Sequence, residues 1–223
     1  MRLVLLRHGD AHAGLTGTIA GPRGCRGLTE LGREQAARLR DDLARSGHLR
    51  ADHLVASELP RAIETAQIIA PALGVARVPT DCELCELHTG EADGTNWADY
   101  PTAFGDFDME TEPDRPFAPG GDSWNSFNSR VRAMMDRYAT EYENQTVAAV
   151  CHAGVIAASL RVTLGIPSPS GHGRLLPTNT GLTEWYDQPA GGLWTLRYYN
   201  DSRHLRDPRP EARSVEPARS PAG

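Results

Sequence analysis

The sequence predicts an α/β fold: a three-layer α/β/α sandwich with a mostly parallel central sheet and an irregular flap over the carboxyl ends of its strands. Three observations carry that prediction. Short apolar runs of strand length alternate with longer stretches of helical periodicity along most of the 223 residues. Two of those runs, His53–Ala56 and Thr146–Cys151, lead directly into helical stretches, as crossover units do. Residues 88–122 break the alternation, being rich in Gly, Pro, Trp, Phe and acids without any period, which reads as a flap. The length suits one large domain or two small ones, with ample chain for a hydrophobic core.

Each element has a local reason. Residues 3–6, Leu-Val-Leu-Leu, are a fully apolar run and read as a buried strand. Thr29 caps a helix over 30–45, with Glu30 in its first turn, Leu31, Ala36, Leu39 and Leu43 on its apolar face, and Gly47 ending it. His53–Ala56 is a second strand, and Ser57 is the expected N-cap of a helix over 58–73, with Pro60 tolerated in the first turn. Thr146–Cys151 is the most strand-like segment, and the alanine-rich Ala153–Leu164 follows as a helix. Residues 182–186 and 193–199 alternate and flank Asp187-Gln-Pro-Ala-Gly-Gly192, the pattern of a hairpin. Residues 1–204 are therefore expected as one domain, and 205–223, without apolar periodicity, as a disordered tail.

Composition excludes several chemistries. All 23 basic residues are arginine and there is no lysine. That removes Schiff-base catalysis, a lysine-anchored pyridoxal cofactor, the Walker phosphate loop and the kinase strand lysine. The bias itself fits codon usage in a GC-rich genome. A net charge of −6 argues against nucleic acid as a partner. No apolar run approaches the roughly 18 residues that span a bilayer, and the N-terminal run is too short for a signal-peptide core, so a cytoplasmic protein is expected. Four cysteines, Cys25, Cys82, Cys85 and Cys151, imply no disulfide framework. Cys82-x-x-Cys85 lacks the second pair that a structural zinc site commonly has, and reads as chance spacing.

The chemistry gathers at strand ends. The first strand finishes in Arg7-His8-Gly9, the second feeds Arg61 into the next helix, and Thr146–Cys151 finishes in His152, with Ala153 and Gly154 opening a helix. In a parallel sheet these ends converge, bringing two arginines and two histidines beside free helix amides. Such a pocket suits a dianionic phosphate: arginine binds it bidentately and the helix terminus adds a favourable field. A neutral imidazole can attack phosphorus when an acceptor holds its proton on the other nitrogen. Glu86, at the end of a short apolar segment before the flap, is the candidate proton donor, since burial beside an anion keeps a carboxyl protonated.

These residues carry a resemblance to the histidine phosphatase superfamily, whose other well-known branch is the cofactor-dependent phosphoglycerate mutases. The likeness covers residues 3 to about 204. Arg7-His8-Gly9 resembles the family signature, and Leu28-Thr29 with Gly32 the entry to its first helix. Ser57-Glu-Leu-Pro-Arg61-Ala-Ile-Glu-Thr65-Ala66 is similar to its second block. Glu86 with Gly90 and Gly94 resembles its acid segment, Gly120-Gly-Asp-Ser123 and Val150-Cys-His152 two further blocks, and Asn200-Asp-Ser-Arg-His204-Leu205 its common ending. The resemblance implies that His8 becomes phosphohistidine, that Arg7, Arg61 and His152 clamp the phosphoryl oxygens, and that Glu86 serves as acid and then base. It implies no metal and no cofactor. The remaining histidines read as structural, with His12 and His88 nearest the site.

Departures from the family pattern bear on the branch. The stretch Asp10-Ala11-His12-Ala13-Gly14 puts glycine where many members have a phosphate-contacting asparagine. The loop Thr18-Ile-Ala-Gly21-Pro-Arg23-Gly-Cys-Arg26 lacks the usual Gln-Gly, and the flap lacks the paired arginines of mutases. Residues 88–114 hold eight acids and no arginine, which disfavours a substrate with a second anionic end. Arg23 and Arg26, with Gly21 and Ala153, are nonetheless candidate substrate contacts. The expected activity is hydrolysis of small phosphomonoesters. A phosphoglycerate mutase-like phosphotransferase, a phosphohistidine or phosphoprotein phosphatase, and a non-catalytic phosphate-binding module remain open. A small phosphorylated substrate is the expected partner, without nucleic acid or membrane, and a homodimer is left open.

Overall fold

The computed structural model describes residues 1–106, 108, 111–166, 175–187 and 193–206. In chain order the elements are β1 (Arg2–Arg7), α1 (His12–Thr16), α2 (Glu30–Ser46), β2 (His53–Ala56), α3 (Pro60–Leu73), α4 (Tyr100–Phe104), α5 (Trp124–Glu141), β3 (Thr146–Cys151), α6 (Ala153–Leu164), β4 (Leu182–Asp187) and β5 (Trp194–Asp201). The sheet runs β2-β3-β1-β4-β5. Its β2, β3 and β1 strands are parallel, while β4 and β5 are antiparallel. The expected sandwich with a mostly parallel core is what forms.

Strand alternation sorts the core into two layers. Leu3, Leu5, Val147, Ala149 and Cys151 point to one face, where Phe127, Val131 and Met134 of α5 and Val155 and Ile156 of α6 cover them. Val4, Leu6, Ala148 and Val150 point to the other, against Leu39 and Leu43 of α2 and Ala62, Ala66 and Ile69 of α3. Both faces of the parallel strands are thereby buried, which is why their sequences are apolar throughout rather than alternating. A third, smaller cluster of Ile19, Ala92, Tyr100, Phe117 and Ala118 gives the 88–122 segment its own core.

Several local expectations are corrected. Ser57 is not the cap of α3; Leu59 is, with Pro60 as the first helical residue, where its missing N–H costs nothing. Leu31 is 55% exposed and lies off the apolar face of α2. The second hairpin strand starts at Trp194 and continues to Asp201, and the loop 188–192 lies outside the described residues. A short 3₁₀ turn spans Arg203–Leu205, and 207–223, most of the expected tail, lies outside the described residues. The sequence reading has no element for α5, although Trp124, Phe127, Val131, Met134, Met135 and Tyr138 are buried at helical spacing. A capping box pairs Ser123 with Ser126 at its start.

Candidate active site

The strand order puts β3 between β2 and β1, so Ser57, His152 and His8, each just past a strand end, become neighbours. His8 is buried, and its ring centroid lies 5.1 Å from that of His152. Its Nδ1 donates to the Gly9 carbonyl at 2.6 Å, which leaves a lone pair on Nε2. Arg61, on the first turn of α3, donates from Nε to that Nε2 at 3.2 Å and from a terminal nitrogen to the carbonyl of Ala20 at 2.9 Å. Burial, with Arg61 and then Arg7 adding to it against the Gly9 hydrogen bond, pulls the His8 imidazole well below its ordinary value. It is therefore neutral at physiological pH.

Close backbone approach fixes this loop. A side chain on Gly9 would meet the Gly32 carbonyl at 2.5 Å, and one on Gly32 would collide with the carbonyl of Asp10. The Gly9 amide donates to Thr65 Oγ at 3.0 Å, and Thr65 in turn donates to the Arg61 carbonyl at 2.7 Å. One threonine thus ties the loop after His8 to the turn that presents Arg61.

His152 caps α6 and is 0% exposed. Its Nε2 lies 2.7 Å from Ser57 Oγ, while its Nδ1 is buried with no hydrogen-bond partner in the protein. Burial first, then Arg61, His8 and Arg7, hold this imidazole well below its ordinary value too. Arg7 donates to the Pro177 carbonyl and leaves its Nε buried and unpaired. Burial lowers the Arg7 value, with Glu86 and Asp10 opposing and Arg61 assisting, yet a guanidinium stays charged. Buried polar atoms without a partner are costly unless a ligand satisfies them; Arg7 lines the cleft, and the His152 ring stands 5.1 Å from that of His8.

Glu86 stands at the start of α6. Its carboxylate accepts from the Gly154 amide at 3.0 Å and from the Leu87 amide at 3.1 Å, and a side chain on Gly154 would occupy its seat.

A cleft of about 260 Å³ is lined by Arg7, His8, Asp10, Arg61, Glu86 and Asn179, with Thr89 and Trp97 at the flap side. Ala153, half-buried beside His152, and buried Gly21 are adjacent to this lining rather than part of it. Arg23 and Arg26 are exposed and do not line it; Arg23 instead reaches Asp93, whose carboxylate also accepts the amides of Gly21 and Gly24. The flap gives the cleft Thr89 and Trp97, with Leu87 just before it, and none of the flap's acids is among the described lining residues. The repulsive acidic lid expected from composition is therefore not what faces the cleft. A wider depression of about 620 Å³, lined by Arg38, Asp42, Arg45 and Arg203 among others, includes neither His8 nor His152.

Two contributors escaped the sequence reading. Asn179 donates to the His8 carbonyl at 3.0 Å, beside Thr180, whose φ of 57° is rare outside glycine and fixes the turn. Arg130, on the unassigned helix α5, donates to the carbonyls of Glu83, Cys85 and Glu86 at 3.0, 2.9 and 3.2 Å and so holds the acid's segment in place.

This fold and site define the class. The family model of the histidine phosphatase superfamily (branch 1) matches residues 3–202, and the chain belongs to that family. It is a hydrolase of the histidine phosphatase type. A metal-independent phosphoserine phosphatase of Arabidopsis thaliana is 28% identical, over 91% of this chain and 82% of the plant protein. A glucosyl-3-phosphoglycerate phosphatase of Mycolicibacterium vanbaalenii is 30% identical over 74% of this chain and 75% of its own length. The crystal structure of a phosphoserine phosphatase from Entamoeba histolytica with 3-phosphoglyceric acid superposes with a TM-score of 0.73 at 27% identity, covering 92% of this chain and 99% of that one. Among the described residues no helix is long and apolar enough to cross a membrane.

Proposed function

We propose that this protein hydrolyses small phosphomonoesters in two steps through a phosphohistidine on His8. The observation that carries the reading is the tautomer of His8: with Nδ1–H committed to Gly9, Nε2 keeps a lone pair, which accepts from Arg61 and which attack on phosphorus would take over, in a cleft lined by Arg7, His8, Arg61 and Glu86. Nε2 attacks phosphorus, and the ester oxygen leaves with the proton of Glu86. Arg7, Arg61 and His152 clamp the phosphoryl oxygens, each such contact contributing about 3–4 kcal/mol to the transition state. Glu86, now a carboxylate, takes a proton from water, which attacks the phosphohistidine and returns free imidazole.

The size and lining of the cleft bear on the substrate. With Arg7 and Arg61 engaged by the phosphoryl group, the described lining holds no further arginine for a second anionic end. Leu87, Thr89 and Trp97 instead meet the ester's remainder, which favours a small neutral or zwitterionic alcohol such as that of phosphoserine, the substrate class of two of the relatives. The test is release of phosphate from p-nitrophenyl phosphate and a panel of cellular phosphomonoesters by wild type and His8→Ala. The wild type turns over and the variant does not. Absence of turnover anywhere between about pH 4 and 8 would refute the reading. Isomerisation of 3-phosphoglycerate in the presence of bisphosphoglycerate, faster than phosphate release, would make the protein a mutase instead.

A further inference from the structure

The Cys82-x-x-Cys85 spacing, set aside in the sequence as chance, acquires a third partner in the fold. Cys82, Cys85 and His88 bring one ligand atom each to within 4.8 Å of one another. We propose that these three residues form a binding site for a borderline-soft divalent cation of the zinc type, with the fourth position open to water. The site is independent of the phosphatase reading, since the cleft takes Glu86 and Leu87 from this stretch but neither cysteine nor His88.

Geometry is the first argument. Tetrahedral zinc with bonds of about 2.3 Å to sulfur and about 2.0 Å to nitrogen separates S from N by about 3.6 Å and S from S by about 3.8 Å. Cys82 Sγ and His88 Nε2 already stand 3.5 Å apart. The remaining contraction is about 1 Å or less, and Cys82 is exposed and free to supply it by turning its side chain.

The surroundings are the second argument. The His88 ring presents Nε2 to the thiols and Nδ1 to the Asp122 carboxylate, 3.5 Å away. That carboxylate–imidazole–metal order is the one that orients a ligating histidine and raises its basicity. Asp122 is itself held by the His88 amide at 3.0 Å and by Arg130 at 2.7 Å. Arg130 also grips the carbonyls of Glu83 and Cys85, so the ligand loop and its supporting carboxylate share one clamp. Ser57 donates to Cys85 Sγ at 3.4 Å, a bond that stabilises a thiolate. Soft sulfur ligands with imidazole select zinc-like ions over magnesium or calcium. On binding, both thiols release their protons to solvent, and two thiolates with a neutral imidazole neutralise the dication.

The experiment uses the tag-free full chain, reduced and freed of metal by a chelator. Zn²⁺ is titrated in competition with a chromophoric chelator, and Co²⁺ is titrated for its absorption spectrum. The expected result is one ion per chain, with thiolate-to-cobalt charge transfer and tetrahedral d–d bands. Asp122→Asn should weaken binding about 10–100-fold, and Cys82→Ser and His88→Gln by at least as much. His8→Ala should leave affinity and spectrum unchanged. Thermal melting of metal-free Cys82→Ser at the wild-type temperature confirms that its loss of binding is not a loss of fold. Failure of the reduced wild type to bind, or a charge-transfer band that survives Cys82→Ser, would overturn the proposal. So would binding abolished by His8→Ala, which would place the ion in the catalytic cleft.

Discussion

Replacing Gly154 with alanine should separate the acid from its seat without harming the fold. Gly154 is the second residue of α6, and its amide donates to Glu86 Oε2 at 3.0 Å. A methyl group there would stand 2.8 Å from Glu86 Cδ and closer still to Oε1, inside the 3.4 Å at which ordinary contact begins. The helix start cannot yield, because Val155 and Ile156 are 0% exposed in the core. The carboxylate must therefore retreat by about 1 Å, a misplacement that costs on the order of 100-fold in rate, or about 2.7 kcal/mol. The loss should fall on steps that need the proton. Phosphoserine, whose alkoxide leaves poorly, should be slowed about 100-fold in its first step. p-Nitrophenolate leaves unaided, so its first-turnover burst in stopped flow should survive while steady-state hydrolysis, which needs Glu86 as base, falls. Alanine is favoured over glycine in a helix by up to about 1 kcal/mol, so the melting temperature should not drop. Equal loss of the burst and of the phosphoserine rate, or no loss in either, would refute the placement of Glu86.

Three further outcomes follow from the geometry. Thr65→Val leaves the buried Gly9 amide without its acceptor, and should cost about 1–3 kcal/mol in urea unfolding together with a fall in kcat, since His8 and Arg61 both lose their common anchor. His8 and His152 are held neutral by burial, whereas in the unfolded chain they take up protons below about pH 6.5. Their contribution to stability is therefore complete above that value and declines as pH falls toward the depressed native values, by up to about 1.4 kcal/mol per pH unit for each histidine. Urea midpoints across about pH 5–8 should show the acid-side decline, and His152→Gln should shed one histidine's share of it. Phe127→Ala removes a 0% exposed ring from the layer between α5 and the sheet and should cost about 3–5 kcal/mol, read from the same unfolding curves.

The parts legible in the sequence were those set by local physics. The β2, β3 and α6 boundaries followed from apolar runs and their flanking residues, and the Thr29 cap and Gly47 stop of α2 from short-range hydrogen bonding and a left-handed φ of 60°. Helix α5 carried an equally readable period but lay beyond a segment whose Gly, Pro and acids dominated the composition. The boundary at Ser57 failed because serine is a strong cap in isolation, whereas here its hydroxyl is used by the Leu59 amide and by His152.

The sequence by itself determined which chemistry this chain can hold. Without lysine, an anion must be gripped by arginine, histidine and backbone, and strand-end residues were the ones available. Only the tertiary structure decided which side chains meet. It brought Arg7, His8, Arg61 and Glu86 around one cleft, set the His152 ring 5.1 Å from that of His8, and left Arg23 on Asp93 at the surface. It turned the flap's Thr89 and Trp97, rather than its acids, toward the cleft, and it gave Cys82 and Cys85 a third neighbour in His88. The reason is physical: residue type fixes what a group can donate or accept, while sheet order and helix packing fix the distances over which it does so, and those depend on contacts remote in the chain.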